Sequence, residues 1–211
     1  MSNIQEIKAA VEGGKVKLIE ELVQEALDAG VDANDILNDG MTAAMAVIGE
    51  KFQKNEVFVP EMLIAAKTMK KGVEIIRPHL ASGSMGKHGK YIIGTVAGDL
   101  HDIGKNLVAL MIESSGFEVI DLGVDVAPDK FVEALKENPD CKLVGASALL
   151  TTTMPALRDT VAAIAAAGLR NQVKIMIGGA PITQEFADEI GADAYTPDAG
   201  SAAVKALELA Q

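Results

Sequence analysis

Asp99, His101 and Gly104 stand in the spacing Asp-x-His-x-x-Gly, just after a short β-branched run, Tyr91–Val96. A histidine with a carboxylate two residues back has the makings of an oriented metal ligand. The carboxylate accepts the proton on one ring nitrogen, which fixes the tautomer and leaves the other nitrogen's lone pair for a metal. The same spacing also suits an ordinary loop histidine with a local acidic partner, and spacing alone does not separate the two. Gly104-Lys105 after Gly98 invites a phosphate-loop reading, which fails on count. Five residues separate Gly98 from Gly104 where that loop needs four, and Asn106 stands in place of Ser or Thr. Asp99 and Asp102 would also repel phosphate. A dedicated zinc site is poorly supported, because Cys141 is the single cysteine and the other histidines, His79 and His88, fall at a helix end and in a linker. Most of the coordination of a metal at His101 must therefore come from a cofactor.

The elements that would position this motif can be read from periodicity. From Lys90 onward, short β-branched runs recur at Tyr91–Val96, Phe117–Leu122, Leu143–Ser147, Val173–Ile177 and Ala194–Tyr195, at intervals of about 21–30 residues. Helical patterns fill the gaps at Ile103–Ser115, Asp129–Glu137, Pro155–Ala167 and Gln184–Ile190, and Ser201–Leu209 closes the chain. Alternating strand and helix predicts a doubly wound, Rossmann-like (flavodoxin-like) five-stranded parallel sheet covered on both faces. Ligands of such sheets bind at the carboxyl ends of the strands, near the switch in strand order.

Upstream, the apolar spacing is helical. A short helix at Ile4–Glu12 is ended by Gly13-Gly14. Ile19, Leu22, Val23, Ala26 and Leu27 share a face up to Gly30. Leu37, Met41, Ala44, Met45, Ile48 and Phe52 make another stripe, and Pro60 opens a helix carrying Met62, Ala65, Ala66, Met69, Val73 and Ile76. Four such helices predict a small N-terminal four-helix bundle over 1–80. Ala81–Lys90, with three Gly and two Ser, reads as a linker, and 91–211 as the α/β domain.

Composition narrows the function. The 211 residues hold 19 basic and 30 acidic side chains, for a net charge of −11. Both halves are acidic, with nine basic against thirteen acidic residues in 1–80 and ten against seventeen in 81–211. Nucleic-acid binding through phosphates is therefore not expected. One cysteine excludes an internal disulfide, no leader pattern is visible, and no run nears the ~20 apolar residues a bilayer requires. A cytoplasmic protein without membrane association is the expectation. Aromatics are scarce, at 3%.

Four segments together resemble a known family: Gly98-Asp-Leu-His-Asp-Ile-Gly-Lys-Asn106, Phe117–Val124 (FEVIDLGV), Gly145–Leu150 (GASALL) and Ile177–Ala180 (IGGA). They resemble the cobalamin-binding domain of methionine synthase and the corrinoid proteins of methanogens and acetogens. The Asp-x-His-x-x-Gly, Ser-x-Leu and Gly-Gly motifs fall in that family's order, each at the end of a predicted strand. Gly49–Met62 (GEKFQKNEVFVPEM) resembles the family's helical cap, so the likeness covers nearly the whole chain.

The resemblance implies a cobalamin or related corrinoid cofactor bound His-on. His101 replaces the cofactor's own lower base on cobalt, and Asp99 is its partner. Thr153 is the matching position for the hydroxyl that completes the relay. The motif loop, Leu100, Asp102, Ile103 and Gly104, meets the corrin, and the displaced nucleotide tail enters a slot lined by Ser147, Leu149, Thr151, Gly178 and Gly179. Phe52, Val59 and Met62 would cover the upper, methyl-bearing face. Their alternative role is bundle core, which is the expectation for Met45 and Met69. The chemistry implied is methyl transfer in one-carbon metabolism by a stand-alone carrier, without complete catalysis of its own. It would serve a substrate-specific methyltransferase for a methylamine, methanol, methoxyaromatic or betaine donor. A second methyltransferase would deliver the methyl group to tetrahydrofolate or a thiol, and a reductive activation protein would restore the cofactor. The linker would act as the hinge by which the cap swings aside. A cobalamin-dependent mutase subunit and a cobalamin-based regulatory sensor are the alternatives. The first lacks such a cap, and the second needs a DNA-binding domain.

Overall fold

The computed structural model describes residues 3–80 and 88–211. Most of the expected linker and its proposed hinge role, at residues 81–87, lie outside the described residues. The chain divides into a helical unit and a sheet unit.

In the helical unit, α1 (Asn3–Glu12) and α2 (Ile19–Asp28) are followed by α3 (Ala33–Asp35), α4 (Ala43–Gln53) and α5 (Val59–Ile76). The spacing predicted one helix carrying Leu37 to Phe52. The structure instead runs from α3 through a π-helical stretch, Ile36–Thr42, into α4. The wider stretch sits where Gly40 packs against Ile7 of α1. Local sequence rules at the helix starts are obeyed. Asp32 accepts the Asn34 amide at 2.8 Å, and Glu61 reaches back to the Phe58 amide at 2.8 Å with Pro60 in the first turn of α5. Ile7, Val11, Ile19, Val23, Ile36, Met41, Met45, Ile48, Met62 and Ile76 are buried in this unit.

The sheet unit contains β1 (Lys90–Thr95), β2 (Glu118–Asp121), β3 (Leu143–Ser147), β4 (Lys174–Gly178) and β5 (Ala194–Tyr195). Between and after them lie α6 (Ile103–Ser114), α7 (Pro128–Glu137), α8 (Met154–Ala166), α9 (Gln184–Ile190) and α10 (Ala199–Leu209). All strand pairs are parallel, in the order β2-β1-β3-β4-β5. The five strands begin and end within two residues of the runs read from the sequence. Side-chain alternation divides the core between the faces. Ile92, Val144, Ile175 and Ile177 pack with Phe131, Leu135, Leu157 and Val161 of α7 and α8. Tyr91, Ile93, Leu143 and Met176 pack on the other side with Ala202 and Ala206 of α10. Strand order reverses between β1 and β3, so the ligand-binding crevice lies at their carboxyl ends. There the register places Thr95 beside Ser147 and Ser147 beside Gly178.

Candidate functional site

The loop leaving β1 turns sharply at Gly98, whose φ is 78°, and brings Asp99 into the protein with none of its surface exposed. A buried carboxylate is costly unless its lone pairs are met. Here they are. Oδ1 accepts the His101 amide at 3.1 Å and lies 2.7 Å from His101 Nδ1. Oδ2 accepts the Leu149 amide and the Thr153 hydroxyl, each at 2.7 Å. Burial alone would raise the Asp99 pKa. The Leu149 amide, the Thr153 hydroxyl and His101 more than offset it, and the carboxyl is held well below the usual range. An ionised partner at Nδ1 puts the imidazole proton there and leaves the Nε2 lone pair free.

The His101 ring is 52% exposed, so that lone pair can face a ligand. Its backbone is braced from below, because the Thr95 hydroxyl donates to the His101 carbonyl at 2.9 Å. Thr95 has one proton to give, so Ser147, at 3.0 Å, is the donor to Thr95. The loops at these strand ends carry exposed apolar side chains. Leu100 is 72% and Ile103 77% exposed, and Leu149, Leu150 and Val124 also stand out in solvent. Bulky apolar side chains gathered at a crevice mark a binding surface for an apolar partner.

The remaining candidates fall into two places. Ser147 and Gly178 end their strands, Leu149 and Thr151 follow β3, and Gly179 follows β4, all along the same sheet edge. Gly179 has φ 133°, and a Cβ there would collide with the Ala148 carbonyl oxygen, so no other residue fits. Asp102 and Gly104 at the start of α6 are exposed, and nothing lies within 4 Å of a Cβ built on Gly104. Phe52, Val59 and Met62 belong to the helical unit, at the last turn of α4 and the first turn of α5. Phe52 and Val59 are half-buried; Met62 and Met45 are fully buried and Met69 is buried.

Two participants escape the sequence motifs. Thr95 braces His101. Asp125, with φ 53°, accepts the Gly98 amide at 2.7 Å. Lys105, buried, pairs with Asp121 at 2.5 Å, which is why it cannot serve as a phosphate-loop lysine. Thr95 and Asp125 have no local signature, since each acts across neighbouring strand ends.

Among the described residues no three His, Cys, Asp or Glu side chains are grouped to hold a metal ion. His101 can supply one bond, and a metal cofactor that brings most of its own ligands would fit this donor set. The apolar rim and the side-chain-free Gly178–Gly179 turn fit its bulk. Among the described residues no helix is long and apolar enough to cross a membrane.

Comparison with known proteins agrees with this fit. A B12-binding domain family matches residues 89–208, and a second B12-binding domain family matches residues 4–77. The chain is 43% identical over 211 residues to the trimethylamine corrinoid protein of Methanosarcina barkeri, covering 97% of each. It is 42% identical over 206 residues to dimethylamine corrinoid protein 3 of Methanosarcina acetivorans, covering 98% of this chain and 96% of that protein. Its structure resembles the methanol:cobalamin methyltransferase complex MtaBC from Methanosarcina barkeri, with a TM-score of 0.86 and 26% identity. That match covers 99% of this chain and 79% of the other.

Proposed function

The chain belongs to the B12-binding corrinoid proteins of methyltransferase systems, and on that premise we propose that it carries a methyl group from a methylamine-specific methyltransferase to a second, acceptor methyltransferase. The observation that carries this reading is the exposed His101 imidazole, held through Nδ1 by a buried, ionised Asp99, on a sheet edge whose loops expose apolar side chains. The bound corrinoid supplies a cobalt centre that accepts and gives up the methyl group.

The chain's own residues hold, orient and shield. His101 binds cobalt through Nε2, and Asp99 keeps the ring in the tautomer that can do so. The low proton affinity of Asp99 keeps the shared proton on Nδ1 of the imidazole. Thr153 and the Leu149 amide sustain the Asp99 charge. Ser147, Leu149, Thr151, Gly178 and Gly179 line the slot for the nucleotide tail, and Leu100, Asp102, Ile103 and Gly104 meet the corrin face. Phe52 and Val59 of the helical domain, both half-buried, would cover the opposite face and exclude water, whereas the Met62 side chain is fully buried in that domain. The domains proposed are 1–80 and 91–211. The acceptor, tetrahydrofolate or a thiol, is reached through the second methyltransferase, and a reductive activation protein completes the set of partners.

The donor class is supported by the trimethylamine and dimethylamine corrinoid proteins at 42–43% identity. The test is to reduce the corrinoid-loaded protein and offer it separate methylamine, methanol and methoxyaromatic methyltransferases, each with its substrate. The visible spectrum then reports methylation. Methylation with a methylamine enzyme supports the assignment. Methylation with the methanol or methoxyaromatic enzyme alone overturns it.

A further inference from the structure

Asp125 adopts a left-handed backbone, φ 53°, that non-glycine residues seldom take. It lies just past β2, on a segment that continues the pairing with β1. The Thr95 amide donates to the Gly123 carbonyl and the Val126 amide to the Thr95 carbonyl, both at 2.9 Å. From there Asp125 grips the motif loop twice. Its Oδ1 accepts the Gly98 amide at 2.7 Å, across 27 residues, and its own amide donates to the Asp99 carbonyl at 3.0 Å. The two loop groups it holds flank the peptide unit that leads into Asp99. Backbone strain kept at such a position signals a constraint imposed by the surroundings. In this conformation the amide and the carboxylate of one residue reach the loop together, which accounts for the constraint.

We propose that Asp125 is a positioning residue for the lower-ligand histidine. By fixing the Gly98–Asp99 backbone it sets the Asp99 carboxylate where it meets His101 Nδ1, Leu149 and Thr153 at once. This rests on the reading of His101 as the cobalt ligand. The group that matters is the acceptor oxygen on residue 125, not its charge, since Gly98 offers a neutral amide.

The test compares Asp125→Ala, Asp125→Asn and Asp125→Gly in the full chain, loaded with cobalamin, by the fraction showing the His-on visible spectrum. Circular dichroism and thermal unfolding of the unloaded variants check folding. Asp125→Ala should lower the His-on to His-off ratio about three- to tenfold, the scale of one hydrogen bond. Asp125→Asn keeps the oxygen and tolerates the left-handed conformation, so it should match the wild type. Asp125→Gly relieves the backbone but lacks the oxygen, so it should lose as much as Asp125→Ala. A wild-type ratio in Asp125→Gly, or an Asp125→Asn loss equal to that of Asp125→Ala, overturns the proposal. His101→Ala serves as the reference: if its spectrum matches the wild type, the ligand reading itself has failed. If His101→Ala loses the His-on spectrum while Asp125→Ala keeps it, the positioning role alone has failed. Unloaded protein gives a second readout, in which the Gly98 amide should exchange with solvent faster in Asp125→Ala than in Asp125→Asn.

Discussion

The Thr153 hydroxyl donates to Oδ2 of Asp99 at 2.7 Å across 54 residues of chain, joining the loop after β3 to the loop after β1. The same hydroxyl lies 2.9 Å from the Leu150 carbonyl, but it has one proton, and an ionised carboxylate is the stronger acceptor. Asp99 thus bridges the two strands between which the order reverses, and through its other oxygen it aims His101 out of the sheet edge.

Thr153→Val should therefore destabilise the unloaded protein by about 1–3 kcal/mol, because a buried carboxylate loses a donor that water cannot replace. Thr153→Ser should keep most of that stability, as the hydroxyl survives. Urea unfolding of the two variants measures the difference. A valine variant as stable as the wild type shows that the hydroxyl gives its proton to Leu150 instead.

Acid should weaken this arrangement in a defined direction. The folded-state pKa of Asp99 lies below its unfolded value, so its contribution to stability is fully present above that unfolded value and fades as pH falls toward the folded one. Asp99→Asn removes the titrating group. The gap in unfolding free energy between wild type and Asp99→Asn should be widest near neutrality and narrow below about pH 4. A gap that stays constant from pH 6 to pH 3 contradicts the assignment. In the same variant the side-chain amide donates to Nδ1, which puts the imidazole proton on Nε2. The corrinoid should then bind without the His-on spectrum.

The strand ends, the all-parallel arrangement and the placing of three motifs at one sheet edge were legible because hydrophobic period and turn residues are local signals. Asp99 and His101 were legible as a pair for the same reason, standing two residues apart. Thr153 was reached through resemblance alone. Asp125 and Thr95 carried no signal, since their partners, the Gly98 amide and the His101 carbonyl, are backbone groups met only once β1 and β2 align. The π-helical stretch at Ile36–Thr42 was hidden too. Its apolar residues fit an ordinary helical stripe, and what distinguishes it is the packing of Gly40 on Ile7.

Gly104 and Gly179 carry the same residue for opposite reasons, and alanine should separate them. At Gly179 the φ of 133° and the Ala148 carbonyl leave no place for a Cβ. Gly179→Ala should lower unloaded stability by at least about 1–3 kcal/mol from the backbone conformation alone, with the clash in addition. At Gly104 nothing lies within 4 Å and the backbone is that of the first turn of α6. Alanine there should raise unloaded stability by about 0.5–1 kcal/mol, since glycine is the poorer helix former. Were Gly104 an ordinary helix-start residue, corrinoid affinity would follow stability and stay as it was. Against the corrin face a new methyl group is in the way, so Gly104→Ala should bind cobalamin at least about tenfold more weakly while folding better, a difference of about 1.4 kcal/mol in binding. Thermal unfolding of the unloaded protein and a cobalamin titration followed by absorbance read the two effects separately. Unchanged affinity in Gly104→Ala removes residue 104 from the site.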